Sequence, residues 1–148
     1  MNKLKNILKE EGYSKANFNY TLTNHIELKV HINEVLGNFI IDTGASNSFI
    51  NKTLIDKFKI SSEKNNDAEV IGIGKESPSA TLISHDNKVV IEAFEVAEVS
   101  FALLEMDHVN DALLANNGNS LDGVIGGDFL EQTKAIIDYN EHVVWFKN

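Results

Sequence analysis

The sequence predicts an all-β domain, β-rich with short helices. Apolar and polar residues alternate in several short runs, which is the period of a half-buried strand, and Ile26, Leu28, Val30 and Ile32 form the clearest of them. Gly, Asn and Asp separate these runs at short intervals, as turn formers do between strands. Helical spacing occurs in only three brief stretches, without the regular strand–helix alternation of a doubly wound sheet.

The elements follow in order. Leu4, Ile7 and Leu8 sit at helical spacing before Gly12, so residues 2–11 are expected to form a short amphipathic helix. Phe18, Tyr20 and Leu22 alternate as a strand, and residues 26–32 make a stronger one. Residues 33–38 are expected to contain a turn, after which Phe39, Ile40 and Ile41 return as an apolar strand ending in Asp42. Residues 47–50 resume extended chain, 52–58 suit one or two helical turns, and 61–67 suit a polar loop. Two glycines among β-branched residues, then the only proline, Pro78, predict a glycine-bearing hairpin over 70–78 with a return strand at 79–84. Residues 85–87 are expected to turn. Residues 89–101 are expected to form a strand with a bulge near Ala93. A helix is expected over 107–116, closed by Asn117 and Gly118. Residues 134–139 and 142–146 complete the chain as a hairpin.

Composition narrows the function classes. A length of 148 residues suits one domain with one core. No apolar run nears the ~20 residues of a membrane span, so no membrane partner is expected. The basic first ten residues are broken by acid and lysine before any apolar stretch, so a cytoplasmic location is expected. The absence of cysteine excludes disulfides, thiolate nucleophiles and Cys-based zinc sites. The net charge is −9, there is no arginine, and residues 85–148 carry three Lys against twelve Asp and Glu. That balance excludes a nucleic-acid footprint over most of the chain.

The stretch that carries chemistry is Phe39-Ile40-Ile41-Asp42-Thr43-Gly44-Ala45-Ser46. A carboxylate ending an apolar strand is costly unless it is held or used, and the small residues after it permit a sharp turn and close approach of another segment. An Asp capping a turn is the structural alternative for any Asp-Thr-Gly taken alone. Gly123-Val124-Ile125-Gly126-Gly127 echoes the stretch, as a second apolar strand running into glycine. Two such strands lying near one another would form a pseudo-twofold centre.

Taken in order, Asp42-Thr43-Gly44-Ala45-Ser46, the glycine-bearing hairpin some thirty residues on, and Leu121-Asp122-Gly123-Val124-Ile125-Gly126 resemble the retropepsin-like aspartic proteases, the bacterial single-lobe members most of all. The resemblance implies a retropepsin-like acid protease barrel, one lobe per chain, with residues 1–24 as an N-terminal helix and strand extension and 25–148 as the protease domain. It implies that Asp42 is the catalytic aspartate. Thr43, Gly44, Ala45 and Ser46 would support the catalytic loop, and Ile71, Gly72, Ile73 and Gly74 would form the flap that closes over substrate. Val124, Ile125 and Gly126 would form the supporting strand. The implied activity is that of an aspartic endopeptidase acting on a peptide or protein substrate, with neither metal nor cofactor.

This chemistry needs two carboxyls, one to take a proton from water and one to protonate the carbonyl. The chain supplies one Asp-Thr-Gly. Asp138 follows a similar apolar approach, but Tyr139 and Asn140 lack the small residues such a turn requires. The expected partner is therefore a second copy, Asp42 meeting Asp42 across a twofold in a homodimer. The alternative function is a catalytically silent peptide-binding or dimerisation module of the same fold. Two departures from the family stand out. Gly127 occupies a position where retroviral members often carry Arg, and Lys75 and Glu76 make the flap tip polar. The N-terminal segment and the 107–116 helix are expected to build a dimer contact unlike the interleaved termini of retroviral enzymes.

Other chemistries fit poorly. Glu69 stands where a phosphate loop needs its first glycine. His25, His31, His85, His108 and His142 are scattered, with none beside another at metal-ligand spacing. Ser46 and Ser48 have no histidine nearby in sequence.

Overall fold

The computed structural model describes residues 2–65, 81–115 and 118–148, with the side chains of 62–65 and 81 excepted. The expected flap residues Ile71, Gly72, Ile73 and Gly74 lie outside the described residues. Helix α1 (Lys3–Glu10) starts at Asn2, whose side chain accepts from the Lys5 N–H, and ends before Gly12 at φ +88°. Strands β1 (Ser14–Asn17) and β2 (Asn19–Tyr20) follow. Next come β3 (Ile26–Ile32), β4 (Val35–Ile41) and β5 (Phe49–Asn51), then a 3₁₀ turn over Lys52–Leu54. Strands β6 (Ser62–Asn65), β7 (Thr81–Ile91) and β8 (Phe94–Leu104) lead to helix α2 (Asp107–Ala115). Strand β9 (Gly123–Ile125), helix α3 (Gly127–Gln132), β10 (Ile136–Asp138) and β11 (Val143–Phe146) complete the order.

Eight strands form one sheet in the order β2-β3-β4-β9-β5-β8-β7-β6, curled so that β3 also pairs with β7. The remaining three form β1-β11-β10. The main core fills the inside of the curl, where Phe39, Phe58, Phe101, Phe129 and Phe146 are almost wholly buried. A second cluster of Ala45, Phe49, Ala102, Met106, Leu121 and Val124 lies on the outer face, with Leu113 of α2 packed on it. Neighbouring residues of one strand therefore serve different clusters: Ile41 and Ile125 the first, Ile40 and Val124 the second. Burial on both faces is the reason these strands read as unbroken apolar runs.

Four local expectations are corrected. The turn expected within residues 33–38 falls at Asn33 and Glu34, at φ +49° and +74°, so the strand expected from Phe39 begins earlier, at Val35. Gly37 pairs with Val30 inside β4, and only glycine fits there because a Cβ would meet the rings of Phe58 and Phe39 at 2.7 and 2.8 Å. The expected turn at 85–87 and bulge near Ala93 exchange places. Strand β7 runs through Asp86 with register shifts on either side of Asn87, and the hairpin turns at Glu92 and Ala93. Asn87 is buried and satisfied there, donating to Ser84 Oγ and Val99 O and accepting from Asn33 Nδ2. A bulge that houses a fully bonded amide is more stable than a turn that would expose it. Residues 62–65, expected in a loop, pair with residues 81–84 as β6. Backbone pairing with β7 outweighs their polar composition.

Candidate active site

Strands β4 and β9, the two apolar runs that end near glycine, lie side by side in parallel register, Phe39 to Gly123, Ile40 to Val124 and Ile41 to Ile125. The ladder continues one step further, as the Asp42 N–H donates to Ile125 O at 3.0 Å. Asp42 therefore leaves the sheet where β9 gives way to Gly126. The Asp42 carboxylate avoids the burial cost that its apolar approach suggested: Ile41 is 7% exposed, but Asp42, Thr43 and Gly44 are all exposed in the single chain. The strand stops at Ile41 and the turn carries the acid out of the wall.

The loop is tightly built. Asp42 Oδ1 accepts from the Gly44 N–H at 2.9 Å, and Asp42 O accepts from the Ala45 N–H at 3.1 Å. One carboxylate oxygen is thus oriented by its own turn, as Asp does ahead of a tight bend. Beneath it, the Gly127 N–H donates to Ala45 O at 2.7 Å and the Asp128 N–H to Ser46 O at 3.2 Å. Gly126 has φ −100°, so its role is steric: a Cβ there would stand 2.7 Å from the carbonyl oxygens of both Ala45 and Asn47. Ala45 is buried, its methyl in the outer cluster.

Three supporting groups were not singled out from sequence. Ser48, 1% exposed, donates its hydroxyl to Asp128 Oδ1 at 2.7 Å and accepts from the Gly126 N–H at 2.8 Å. Asp128 Oδ1 also accepts from the backbone N–H groups of Ser48 and Phe129. Asp122 joins the strands one step back, accepting from the Asn38 N–H at 2.8 Å and facing Lys57 Nζ at 3.4 Å, while its carbonyl accepts from the Asn51 N–H. Asp122 and Asp128 flank the apolar-Gly run, and two acids framing a buried strand are the signal that could have found them.

A cavity of about 450 Å³ opens beside this strand, between the 21–25 turn, Glu27 and Lys29 of β3, and Leu113 of α2, with Ile40 and Leu121 at its wall. Glu27 and Lys29 are 3.5 Å apart within it. Among the described residues, no group of three or more His, Cys, Asp or Glu is placed to hold a metal ion. Among them, too, no helix is long and apolar enough to cross a membrane.

The family profile of aspartyl proteases matches residues 28–129. No curated protein matches the chain. Among solved structures, a retropepsin-like aspartic protease from Rickettsia conorii is similar over 91% of this chain and 89% of its own, with 18% identity and a TM-score of 0.59. The retroviral protease-like domain of Ddi1 from Leishmania major is similar over 84% of this chain and 89% of its own, at 18% identity and a TM-score of 0.55. The EIAV protease, solved in complex with an inhibitor, is similar over 77% of this chain and 92% of its own, at 17% identity and a TM-score of 0.52.

Proposed function

Because the chain belongs to the aspartyl protease family and has a retropepsin-like fold, we propose that it is an aspartic endopeptidase that works as a homodimer, with Asp42 of each copy facing the other. The observation that carries this reading is the placement of Asp42. It is exposed at the end of β4, on a loop held rigidly from below by β9 and α3. A solvent-facing acid on a rigid support suits catalysis, because a positioned group loses little entropy when the reaction begins.

Two carboxyls brought within a few ångströms share one proton and titrate as a pair. The ionised one takes a proton from a water between them as the water oxygen attacks the peptide carbonyl carbon. The protonated one gives its proton to the carbonyl oxygen, yielding a tetrahedral diol. The newly protonated carboxyl then gives its proton to the amide nitrogen while the other carboxylate takes one from a diol hydroxyl. The C–N bond breaks to leave a carboxylic acid and an amine, and the pair again holds one proton. Gly44, with no side chain, leaves its backbone open to an extended peptide, and the cavity walled by Ile40 and Leu121 gives room for a substrate side chain. Thr43 would bond across the twofold, and residues 71–74 would close over the peptide.

The test is Asp42→Asn. Cleavage of an unfolded protein at acid pH should fall by at least ~10³-fold, while the thermal midpoint and sedimentation behaviour stay unchanged. Full activity in the variant would overturn the reading. A wild-type chain that dimerises and binds peptides without cutting them would make it a silent binding module.

A further inference from the structure

The cavity beside β4 carries charge as well as apolar surface. The β4–β9 ladder reaches the Asp42 N–H, so Ile40 and Asp42 stand two positions apart on one face, about 7 Å from each other along the strand. Glu27 pairs directly with Ile40 across β3 and β4, which puts its side chain on that face as well. A peptide running past Asp42 therefore brings one of its side chains, within about two residues of the bond being cut, to the mouth of the cavity.

The walls are of two kinds. Ile40, Leu113 and Leu121 supply an apolar side, and Glu27, whose side chain is only 12% exposed, lies beside them with Lys29 at 3.5 Å. The two charges are unequally provided for. Lys29 Nζ also donates to Asn38 Oδ1, and with its side chain 55% exposed it is served by water too. Among the described residues the Glu27 carboxylate meets Lys29 alone, at a distance longer than a charge-assisted hydrogen bond. A mostly buried carboxylate with one loose partner is costly, and a second cation entering from the cavity relieves it. The other titratable group of the wall, His25, is engaged within its own turn. Its Nδ1 lies 2.7 Å from Thr23 Oγ1, and its backbone N–H donates to Thr21 Oγ1 at 3.1 Å. These bonds brace the 21–25 turn, so the mouth is preformed.

An apolar wall beside a carboxylate matches a Lys or Arg side chain, whose methylene stem lies along apolar surface while its charged head seeks an acceptor. A leucine side chain covers the wall and leaves Glu27 as it is. An acidic one meets Glu27 in repulsion, and Lys29 is already bonded on two sides. The net charge of −9 draws cationic peptides to the chain as a whole.

We infer that this cavity is a specificity site for a basic side chain close to the bond being cut, with Glu27 as the residue that reads it and Lys29 as the cation it displaces. That the occupant belongs to a peptide rests on the protease reading. The charge preference rests on the cavity, whose walls come from one chain.

Peptides that differ only in carrying Lys, Leu or Glu, at each of the two positions on either side of the bond, separate these cases. At one of those positions kcat/KM for the Lys peptide should exceed that for the Leu peptide about tenfold, with the Glu peptide lowest. Glu27→Gln keeps the shape of the side chain and should bring the Lys and Leu peptides within about twofold of each other, whereas Lys29→Met should widen the gap. Binding to Asp42→Asn, followed by fluorescence anisotropy, should give the same ranking without turnover. Cleavage with no preference for Lys at any position, or a preference that survives Glu27→Gln, overturns this inference and leaves the protease reading standing. A wild-type chain that cuts nothing, yet binds Lys peptides selectively until Glu27→Gln abolishes the selectivity, sinks the catalytic reading and supports the site. Neither cleavage nor Lys-selective binding overturns both.

Discussion

Ser48 is where the two halves of the candidate site meet. Its hydroxyl takes the Gly126 N–H from one side and gives its proton to Asp128 on the other, and the residue is 1% exposed. Ser48→Ala removes both bonds and strands a buried N–H. The cost should be about 1–3 kcal/mol in a urea unfolding series. Turnover should fall more than peptide affinity, because the loop that orients Asp42 loosens while the cavity by Ile40 is untouched. Equal loss in both would argue against a positioning role for Ser48. Asp128 is exposed, so water can take up part of what its carboxylate provides. Asp42 itself was legible from its apolar approach and small followers. Ser48 was not, because a lone serine two residues past Ser46 carries no periodicity or spacing that distinguishes it.

At the scale of elements, the β4–β9–β5 pairing depends on what is missing from glycine. A Cβ on Gly123 would lie 2.2 Å from Phe49 O, a backbone atom fixed by the ladder between β5 and β9. A Cβ on Gly37 would meet ring atoms of Phe58 and Phe39, which can shift at their far ends. Gly123→Ala should therefore cost more than Gly37→Ala, at or above the ~3 kcal/mol top of the usual overpacking range. Calorimetry or denaturant midpoints would check the order, and the reverse ranking would count against this account of the sheet. The same element shows where local reasoning stops. Gly37 falls in the stretch expected to contain a turn, yet it pairs with Val30 inside β4. Asp86 and Glu92 both take positive φ, +59° and +53°, one inside a bulged strand and one at a hairpin. Only the cross-strand partners of Asn87 separate the two cases.

For the whole molecule, charge opposes the proposed assembly. Two chains at −9 each, with centres about 35 Å apart, repel by about 3 kcal/mol at 0.01 M salt and well under 0.5 kcal/mol at 0.15 M. Salt screens this repulsion, so dimerisation should tighten as salt rises from about 0.01 to about 0.15 M. Sedimentation across that range measures it. Weakening with salt would mean that local ion pairs dominate.

The sequence alone determined the β-rich class, the strand that carries Asp42, the echo in residues 123–127 and the helices at 3–10 and 107–115. These depend on period and turn chemistry, which are properties of neighbours along the chain. The tertiary structure decided which turn was a bulge, that Asp42 stands outside the apolar wall, that Ser48 and Asp128 brace its loop while Asp122 ties the strands behind it, and that β1 and β10 flank β11. Those outcomes come from contacts between residues far apart in the chain, such as Ser14 with Phe146, where close packing and hydrogen-bond satisfaction outweigh local preference.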